Sequence, residues 1–530
     1  MGGGCGQYIA LTVAVAGLQF AWAVEMGFGT PYLLSLGLPK SLASLVWLAG
    51  PLSGLVMQPL VGVLSDRSTS RFGRRRPFIV GSTACAVACL GVIGWTREIA
   101  GGRARLAVWL AVGAFYVLDF AVNALQGCLR ALIVDVLPAA RQDAGTAWAS
   151  RMIGVGNVCG FLMGFLDLAR LLPFLGSTHM QVLTAVAAAA LSATVAVTCL
   201  CTSETPLPPP QRLGAERRTD WRSRLRALVE LLESLRALPP AIRGVFRVQL
   251  LAWIGWFPFL FYGTTLVADL YVASSAGGEG PAAMERGTRA GSLAMFAHAI
   301  VSLCASIVLP AFAYSAAEGR PSARPPADAG ALAAARRALH SVRARLAVRL
   351  PVMWSVSLGV FSTAMLLTLL VSSVRGASAL LAVCGVSWAV AVWAPFSMLG
   401  EAIHDGAGAP RQEMRAAAAA ASNGDYVQVA SGDIPLEDMG DRPASDDPAP
   451  GAQQLSAGTI LGVHNVFCVI PQFITAFASS LIFAAFERAQ GPGGTGAGAG
   501  LGGQHAHQIA LVMALGGVSA AAAAFFAWRL

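Results

Sequence analysis

Hydrophobic and polar positions along this chain fall into long blocks. Apolar runs of about 20 residues, the length that crosses a bilayer as a helix, are separated by polar segments. Twelve such runs can be counted, with centres near residues 18, 54, 86, 116, 156, 189, 256, 300, 361, 388, 470 and 518. This pattern predicts an all-α membrane protein with twelve transmembrane helices.

The polar segments divide the runs into two sets of six. Short connections join the first six runs, a long polar segment at residues 202–242 follows, and six more runs come after it. We therefore predict two six-helix halves, residues 1–201 and 243–530, joined by a linker at 202–242. The second half also contains polar loops at about 314–347 and 402–455. The second of these loops is rich in proline and acidic residues, which predicts disorder.

Composition agrees with a multi-pass membrane protein in a lipid bilayer. Of the 530 residues, 55% are hydrophobic and 12% are charged, against about 25% charged in soluble proteins, and the mean hydropathy is +0.62. The net charge of +9 lies in the polar connections, so we interpret it as a topology signal and expect no nucleic-acid partner. The ten cysteines lie mostly inside apolar runs without metal-like pairs, so no metal or cofactor is expected.

Arginines are distributed unevenly between the two sets of connections. If the N-terminus is cytosolic, the connections after even-numbered runs are cytosolic too, and they hold clusters within residues 67–76, 212–236 and 336–349. Basic connections are retained in the cytosol, although the basic segment 97–105 lies on the other side. We therefore expect both termini, the linker and the two polar loops in the cytosol. The plasma membrane is the expected location, with the vacuolar membrane as the alternative.

One polar stretch, VGVLSDRSTSRFGRRRPFIVG, has a pattern that topology alone does not explain. In it Gly62 is followed by Asp66 and Arg67, and then by Gly73 and Arg74. An acid at the last turn of a span beside arginines predicts a charge network between helices, and a glycine permits a tight turn. The pattern resembles the signature of the major facilitator superfamily, and the resemblance implies that these five residues form a conformational latch.

The fourth run carries polar residues on one helical face. Asp119, Asn123, Gln126 and Arg130 follow each other at i, i+4, i+7 and i+11, so their directions differ by about 60° at most. An acid and an arginine inside an apolar run avoid lipid, and about 16 Å of helix axis separates them. Each therefore needs another partner. Either the stripe lines a water-accessible cavity, or it joins helices through buried polar contacts.

The first and fifth runs hold further candidates. Glu25 lies near Gln19 and Trp22 in the first run. Three interactions are open to its carboxylate. It can pair with Arg130, bind a proton, or contact water at the mouth of a cavity. Asn157 in the fifth run is a candidate to reach the same cavity.

Several blocks resemble one known family. LVWLAGPLSGLVMQPLVGVLSDRSTSRFGRRRPFI, GLQFAWAVEMGFGTPYLLSLGL and LQGCLRALIVDV in the first half are similar to the plant-type sucrose/proton symporters and their animal and fungal relatives, in the major facilitator superfamily. WIGWFPFLFYGTTLVADLY and GVHNVFCVIPQF continue the resemblance in the second half. The seventh run departs from the plant pattern, because Tyr262, Thr264 and Thr265 stand where the plant proteins carry an acid. Asp269 is the nearest acid in this chain.

The resemblance implies a symporter of sucrose, maltose or a related glycoside that is driven by the proton gradient and uses no cofactor. An uncoupled facilitator or exporter of the same superfamily is the alternative, and the oligomeric state is left open. A membrane enzyme or signalling scaffold would need a nucleophile with its base, metal ligands or a folded cytosolic domain, and the sequence shows none of these. The family's matching acid and arginine are linked to proton coupling and sugar transport. The resemblance thus assigns proton coupling to Asp119 and substrate binding to Arg130. From their places in the apolar runs, Glu25 is a second proton-coupling candidate, and the further substrate-binding candidates are Asn123, Gln126, Gln19, Trp22 and Asn157.

Overall fold

The computed structural model describes residues 5–66, 68, 70–137, 142–204, 240–275, 280–314, 347–406, 457–490 and 501–530. Most of the predicted linker and of both polar loops lies outside these residues. The described part is nearly all helical. Its helices are α1 (Cys5–Ser35), α2 (Lys40–Val46), α3 (Ala49–Asp66), α4 (Arg76–Gly94), α5 (Thr96–Ile99), α6 (Ala104–Val136), α7 (Gln142–Phe165), α8 (Leu168–Leu171), α9 (His179–Cys201), α10 (Pro240–Ser274), α11 (Pro281–Val308), α12 (Leu350–Leu367), α13 (Val374–Gly406), α14 (Ala457–Gln490) and α15 (Leu501–Trp528).

Two short strands flank the segment 315–346. A 3-10 turn (Leu309–Phe312) leads into β1 (Ala313–Tyr314), which pairs in parallel with β2 (Val348–Arg349). This two-residue ladder brings the end of α11 beside the start of α12. The sequence pattern did not predict this ladder, because two residues carry no recognisable alternation.

Eleven helices of the described part are long and apolar enough to cross a membrane. One of these crossings, Lys40–Met57, runs through α2 and into α3. The helix α7 occupies the place predicted for the fifth span and has 24 residues. It is not among the eleven, and its first turns, QDAGTAWASR, are polar. The chain is an integral, multi-pass membrane protein, and eleven of the twelve predicted spans meet this criterion.

The helices run in alternating directions, so the bundle has two ends. We call the end at which α1 finishes the Ser35 side, and the end at which α3 finishes the Asp66 side. The Tyr32 hydroxyl donates a hydrogen bond to the Ile93 carbonyl, at 2.8 Å, which places the end of α4 on the Ser35 side. An ion pair of Arg74 with Asp135, at 2.6 Å, places the end of α6 on the Asp66 side.

Each half has its own apolar core. Side chains such as Leu125 and Leu183 are fully buried within the helices α1–α9, and Trp354 and Phe361 are fully buried within α10–α15. In a bilayer, close packing rather than removal from water holds such helices together. The close contact of α1 with α7 shows this, because a Cβ added at Gly156 would lie 2.5 Å from the Ala16 carbonyl oxygen.

The two halves are joined at the Ser35 side. Trp47, between α2 and α3, stacks on Phe261 of α10 with ring centroids 5.0 Å apart and an interplanar angle of 7°. Arg289 of α11 forms an ion pair with Asp167, which follows α7, at 3.1 Å. Because these contacts cross from one half to the other, the structure is closed at the Ser35 side.

Candidate functional site

Two carboxyl groups face each other inside the first half. Glu25 lies on α1 and Asp119 on α6, and each residue is only 2% exposed. They are close enough to interact electrostatically. Both oxygens of Glu25 and Oδ1 of Asp119 accept no hydrogen bond in the part of the chain that the structure describes. Two buried negative charges repel each other and lose their hydration, and a proton on one of them removes the repulsion. The arrangement has the chemistry of a proton-binding site.

This contact bears on the alternatives that the sequence leaves open for Glu25. No ion pair among the described residues joins Glu25 to Arg130. The Arg130 side chain is exposed near the Asp66-side end of α6, whereas Glu25 is enclosed beside Asp119. The sequence contains both acids but does not indicate their contact, because their distance depends on how α1 and α6 pack.

The predicted stripe on α6 runs from an enclosed acid to an exposed arginine. One turn after Asp119, the Asn123 side-chain amide donates to Ser53 Oγ of α3 at 2.8 Å and to the Asp119 backbone carbonyl at 3.0 Å. Gln126 is half-buried and Arg130 is exposed. On this face Asn123 joins helices, and the Arg130 side chain is not covered by neighbouring helices.

A glycine of α3 lies against the buried acid. A Cβ added at Gly50 would lie 3.8 Å from Asp119 Oδ1 and 3.4 Å from Oε1 of Gln472, on α14 of the second half. The second half therefore reaches the neighbourhood of the carboxyl pair through Gln472. Sequence reasoning missed this residue, although its block IPQF belongs to the family resemblance.

The candidates on α1 and α7 form a second polar contact. Gln19 Nε2 donates to Oδ1 of Asn157 at 3.0 Å. Trp22, one turn after Gln19, is half-buried, and its indole N–H has no hydrogen-bond partner among the described residues. These side chains offer an unused donor and an amide pair to a polar ligand. The described residues contain no group of three His, Cys, Asp or Glu side chains placed to hold a metal ion.

The predicted latch is described in part. Gly62 lies within α3, Arg67 lies outside the described residues, and the same holds for the side chain of Asp66. Gly73 has φ +110°, a conformation that favours glycine. The tight turn expected at this position is present.

The arginines after this turn bind an acid that the sequence did not single out. Asp135 Oδ2 lies 2.6 Å from Arg74 Nη2 and 2.9 Å from Arg75 Nε, and the Arg75 guanidinium also donates to Ser65 Oγ. Partial burial raises the pKa of Asp135, but the hydrogen bonds and charges of the two arginines outweigh it, so the pKa lies below its usual value. The network thus ties the start of α4 to the ends of α3 and α6.

Glu204, just after α9, completes the network. Its carboxylate accepts hydrogen bonds from the backbone N–H groups of Arg74, Arg75 (2.8 Å) and Arg76 (3.1 Å). These groups lie at the start of α4, where the helix leaves N–H donors unpaired and its dipole favours a negative charge. Four helix ends of the first half therefore meet on the Asp66 side.

Comparison with known proteins identifies the family. Residues 8–236 match the family model described as MFS/sugar transport protein. The sequence is 31% identical to the general alpha-glucoside permease of Schizosaccharomyces pombe, over 98% of this chain and 92% of that protein. The chain belongs to the sucrose/α-glucoside transporter family of the major facilitator superfamily. It is thus a transporter of that family and not an enzyme, as the sequence predicted.

Plant members of the family match a smaller part. A sucrose transport protein of Oryza sativa subsp. indica is 33% identical over 55% of this chain and 62% of that protein. Among solved structures, an inward-facing, unoccupied bacterial homologue of the human lysosomal transporter Spinster has a TM-score of 0.58 at 14% identity, covering 99% of this chain and 96% of the other. A D-xylose-proton symporter has a TM-score of 0.51 at 12% identity, covering 98% and 97%. These two similarities show the fold alone.

Proposed function

We propose that this transporter moves an α-glucoside such as sucrose or maltose together with a proton. The observation that carries the proposal is the buried pair of Glu25 and Asp119, beside polar side chains that suit sugar hydroxyl groups. The name of the Schizosaccharomyces pombe relative, which matches nearly the whole chain, supports the substrate class. The pair argues against the assignment as an uncoupled facilitator, because such a carrier has no need of two buried acids.

Proton binding changes the charge of the site during transport. In the Ser35-open state, Asp119 takes up a proton, and the sugar binds to the polar residues of α1, α6 and α7. A single proton removes the repulsion between the two carboxylates and so lowers the cost of enclosing the pair in a closing protein. After the Asp66 side opens, the proton and sugar leave. The exposed Arg130 fits a role in sugar binding there, because its planar guanidinium can address two acceptors.

The Asp66 side is assigned to the cytosol. It carries the arginine cluster of residues 67–76, and basic connections are retained there. Both termini then lie in the cytosol, and the plasma membrane is the expected location. A membrane-impermeant thiol reagent added to intact cells should label Phe174→Cys, at an exposed Ser35-side position, and should not label Ser70→Cys beyond the background of native cysteines. The reverse pattern would overturn this orientation.

The decisive test is sugar uptake by the purified protein in proteoliposomes. Radiolabelled sucrose and maltose should accumulate above the external concentration when the outside is acidic. A protonophore should reduce uptake to simple equilibration, and protein-free vesicles give the background. Equal uptake with and without the gradient would instead identify an uncoupled facilitator. Absence of sucrose and maltose uptake would remove the substrate assignment.

A further inference from the structure

The only lysine of the chain, Lys40, contacts the other half of the protein. It is the first residue of α2 and follows Pro39 in an extended conformation. A positive charge at a helix N-terminus is opposed by the helix dipole, so α2 itself gains nothing from it. The Lys40 ammonium instead lies 3.0 Å from Oδ2 of Asp269 on α10.

This ion pair is more deeply buried than the other one that joins the halves among the described residues. The side chains of Lys40 and Asp269 are 12% and 2% exposed, whereas those of Arg289 and Asp167 are 24% and 27% exposed. A buried pair is sensitive to the loss of one member, because the remaining charge is left without a partner or water. Exchange of both members for apolar side chains is tolerated far better.

The pair stands at one end of a continuous seam. One turn after Lys40, Ser44 Oγ accepts a hydrogen bond from the Tyr262 hydroxyl of α10, at 2.9 Å. One turn further, Trp47 stacks on Phe261 of the second half, and Gly50 then lies against Asp119 of the first half. Lys40 and Ser44 lie one turn apart on α2, and Trp47 and Gly50 continue the contact after α2 ends at Val46. The segment from Lys40 to Gly50 thus leads from the ion pair to the buried acids.

We propose that Lys40 and Asp269 are positioning residues for transport, whose ion pair holds the Ser35 side closed and separates when that side opens. Only the transport part of this assignment rests on the proposed function; the closure itself does not. When the side opens, water hydrates both charges. When one charge is removed, the other stays buried alone in the closed state, so the equilibrium moves toward the open state.

The single lysine permits a direct measurement. An amine-reactive, membrane-impermeant N-hydroxysuccinimide ester is added to the reconstituted full-length protein, and modification of Lys40 is quantified by peptide mass mapping. Wild type should react slowly. Asp269→Asn should react at least about tenfold faster, the factor for a loss of 1.4 kcal/mol from the closed state. Asp269→Glu should stay protected, and Glu285→Gln, an exposed acid on the same side, should react like wild type.

Loss of the pair could free Lys40 locally without opening the seam, so a second variant keeps both charges. Tyr262→Phe removes the hydroxyl that donates to Ser44 and should also speed Lys40 modification. Hydrogen exchange should rise in α2 and near Glu487 of α14, which binds Ser41 at the same end. Lys40→Met combined with Asp269→Leu should restore slow exchange there. Faster exchange that is seen only in Asp269→Asn, and only at Lys40 itself, would overturn the proposal.

Transport kinetics separate this role from plain stability. Asp269→Asn should lower the KM for uptake from the Ser35 side, because the open state is more populated, and lower the maximal rate, because closing is harder. A purely structural role predicts less active protein with an unchanged KM. Unchanged Lys40 protection and exchange would reject the positioning role whether or not sugar uptake is seen. Absence of sugar uptake in wild type would reject only the proposed function.

Discussion

The carboxyl groups of Glu25 and Asp119 lie side by side on two different helices, and no ion pair among the described residues neutralises either one. Both lie within the first half, while Gln472 of the second half comes close to Asp119 at Gly50. A change of charge at this pair is therefore placed where it can alter the contact between the halves. On the proposed function, this relationship would couple proton binding to the movement of the carrier.

Asp119→Asn should bind sugar but fail to accumulate it. Asparagine resembles the protonated acid, so the carrier remains in the loaded charge state and no longer exchanges protons. Sugar-induced proton influx, followed with a pH dye in vesicles, should fall to background. Glu285→Gln, on an exposed acid, should retain influx. Normal influx in Asp119→Asn would move the coupling role to Glu25.

Arg130→Lys should impair sugar transport although it keeps the positive charge. Lysine lacks the planar fork that donates to two acceptors at once, so the KM for sugar should rise. Arg103→Lys, an exposed position at the other end of the same helix, provides the matched control. An unchanged KM in Arg130→Lys would show that charge alone is required there.

Asp135→Asn should lower thermal stability near neutral pH, because it removes the acceptor shared by Arg74 and Arg75. A carboxyl whose pKa is lowered in the folded protein stabilises it above the unfolded value, about 3.9, and this contribution is lost as the pH falls through the folded pKa. The difference in Tm between wild type and variant should therefore be steady above about pH 5 and shrink below about pH 4. Thermal unfolding in detergent across this range measures it, and a difference independent of pH would contradict the ion-pair account.

Glu204→Ala should loosen the start of α4 by removing the acceptor of three backbone N–H groups. Loss of a helix cap costs about 1 kcal/mol. Hydrogen exchange should accelerate near Arg76 and remain unchanged at the start of α9. Thr178→Ala, which removes the capping box of α9, should give the opposite pattern. Equal exchange at α4 in wild type and Glu204→Ala would show that the arginine network holds this turn without the glutamate.

The sequence by itself determined the membrane-spanning, all-helical class, because runs of about 20 apolar residues have few other uses. It also determined the shared face of Asp119, Asn123, Gln126 and Arg130, since helical spacing fixes direction around a single axis. The tight turn at Gly73 followed from local backbone preference in the same way. Each of these properties depends on neighbours within one segment.

Contacts between segments were decided only by the tertiary structure. Glu25 meets Asp119, Glu204 meets the start of α4, and Lys40 meets Asp269 across 94, about 130 and 229 positions of sequence. Charge and polarity identify such residues as needing partners, but many arginines and acids are available in the chain. The partner is chosen by which helices pack together and at what depth, and a single sequence contains no direct measure of either.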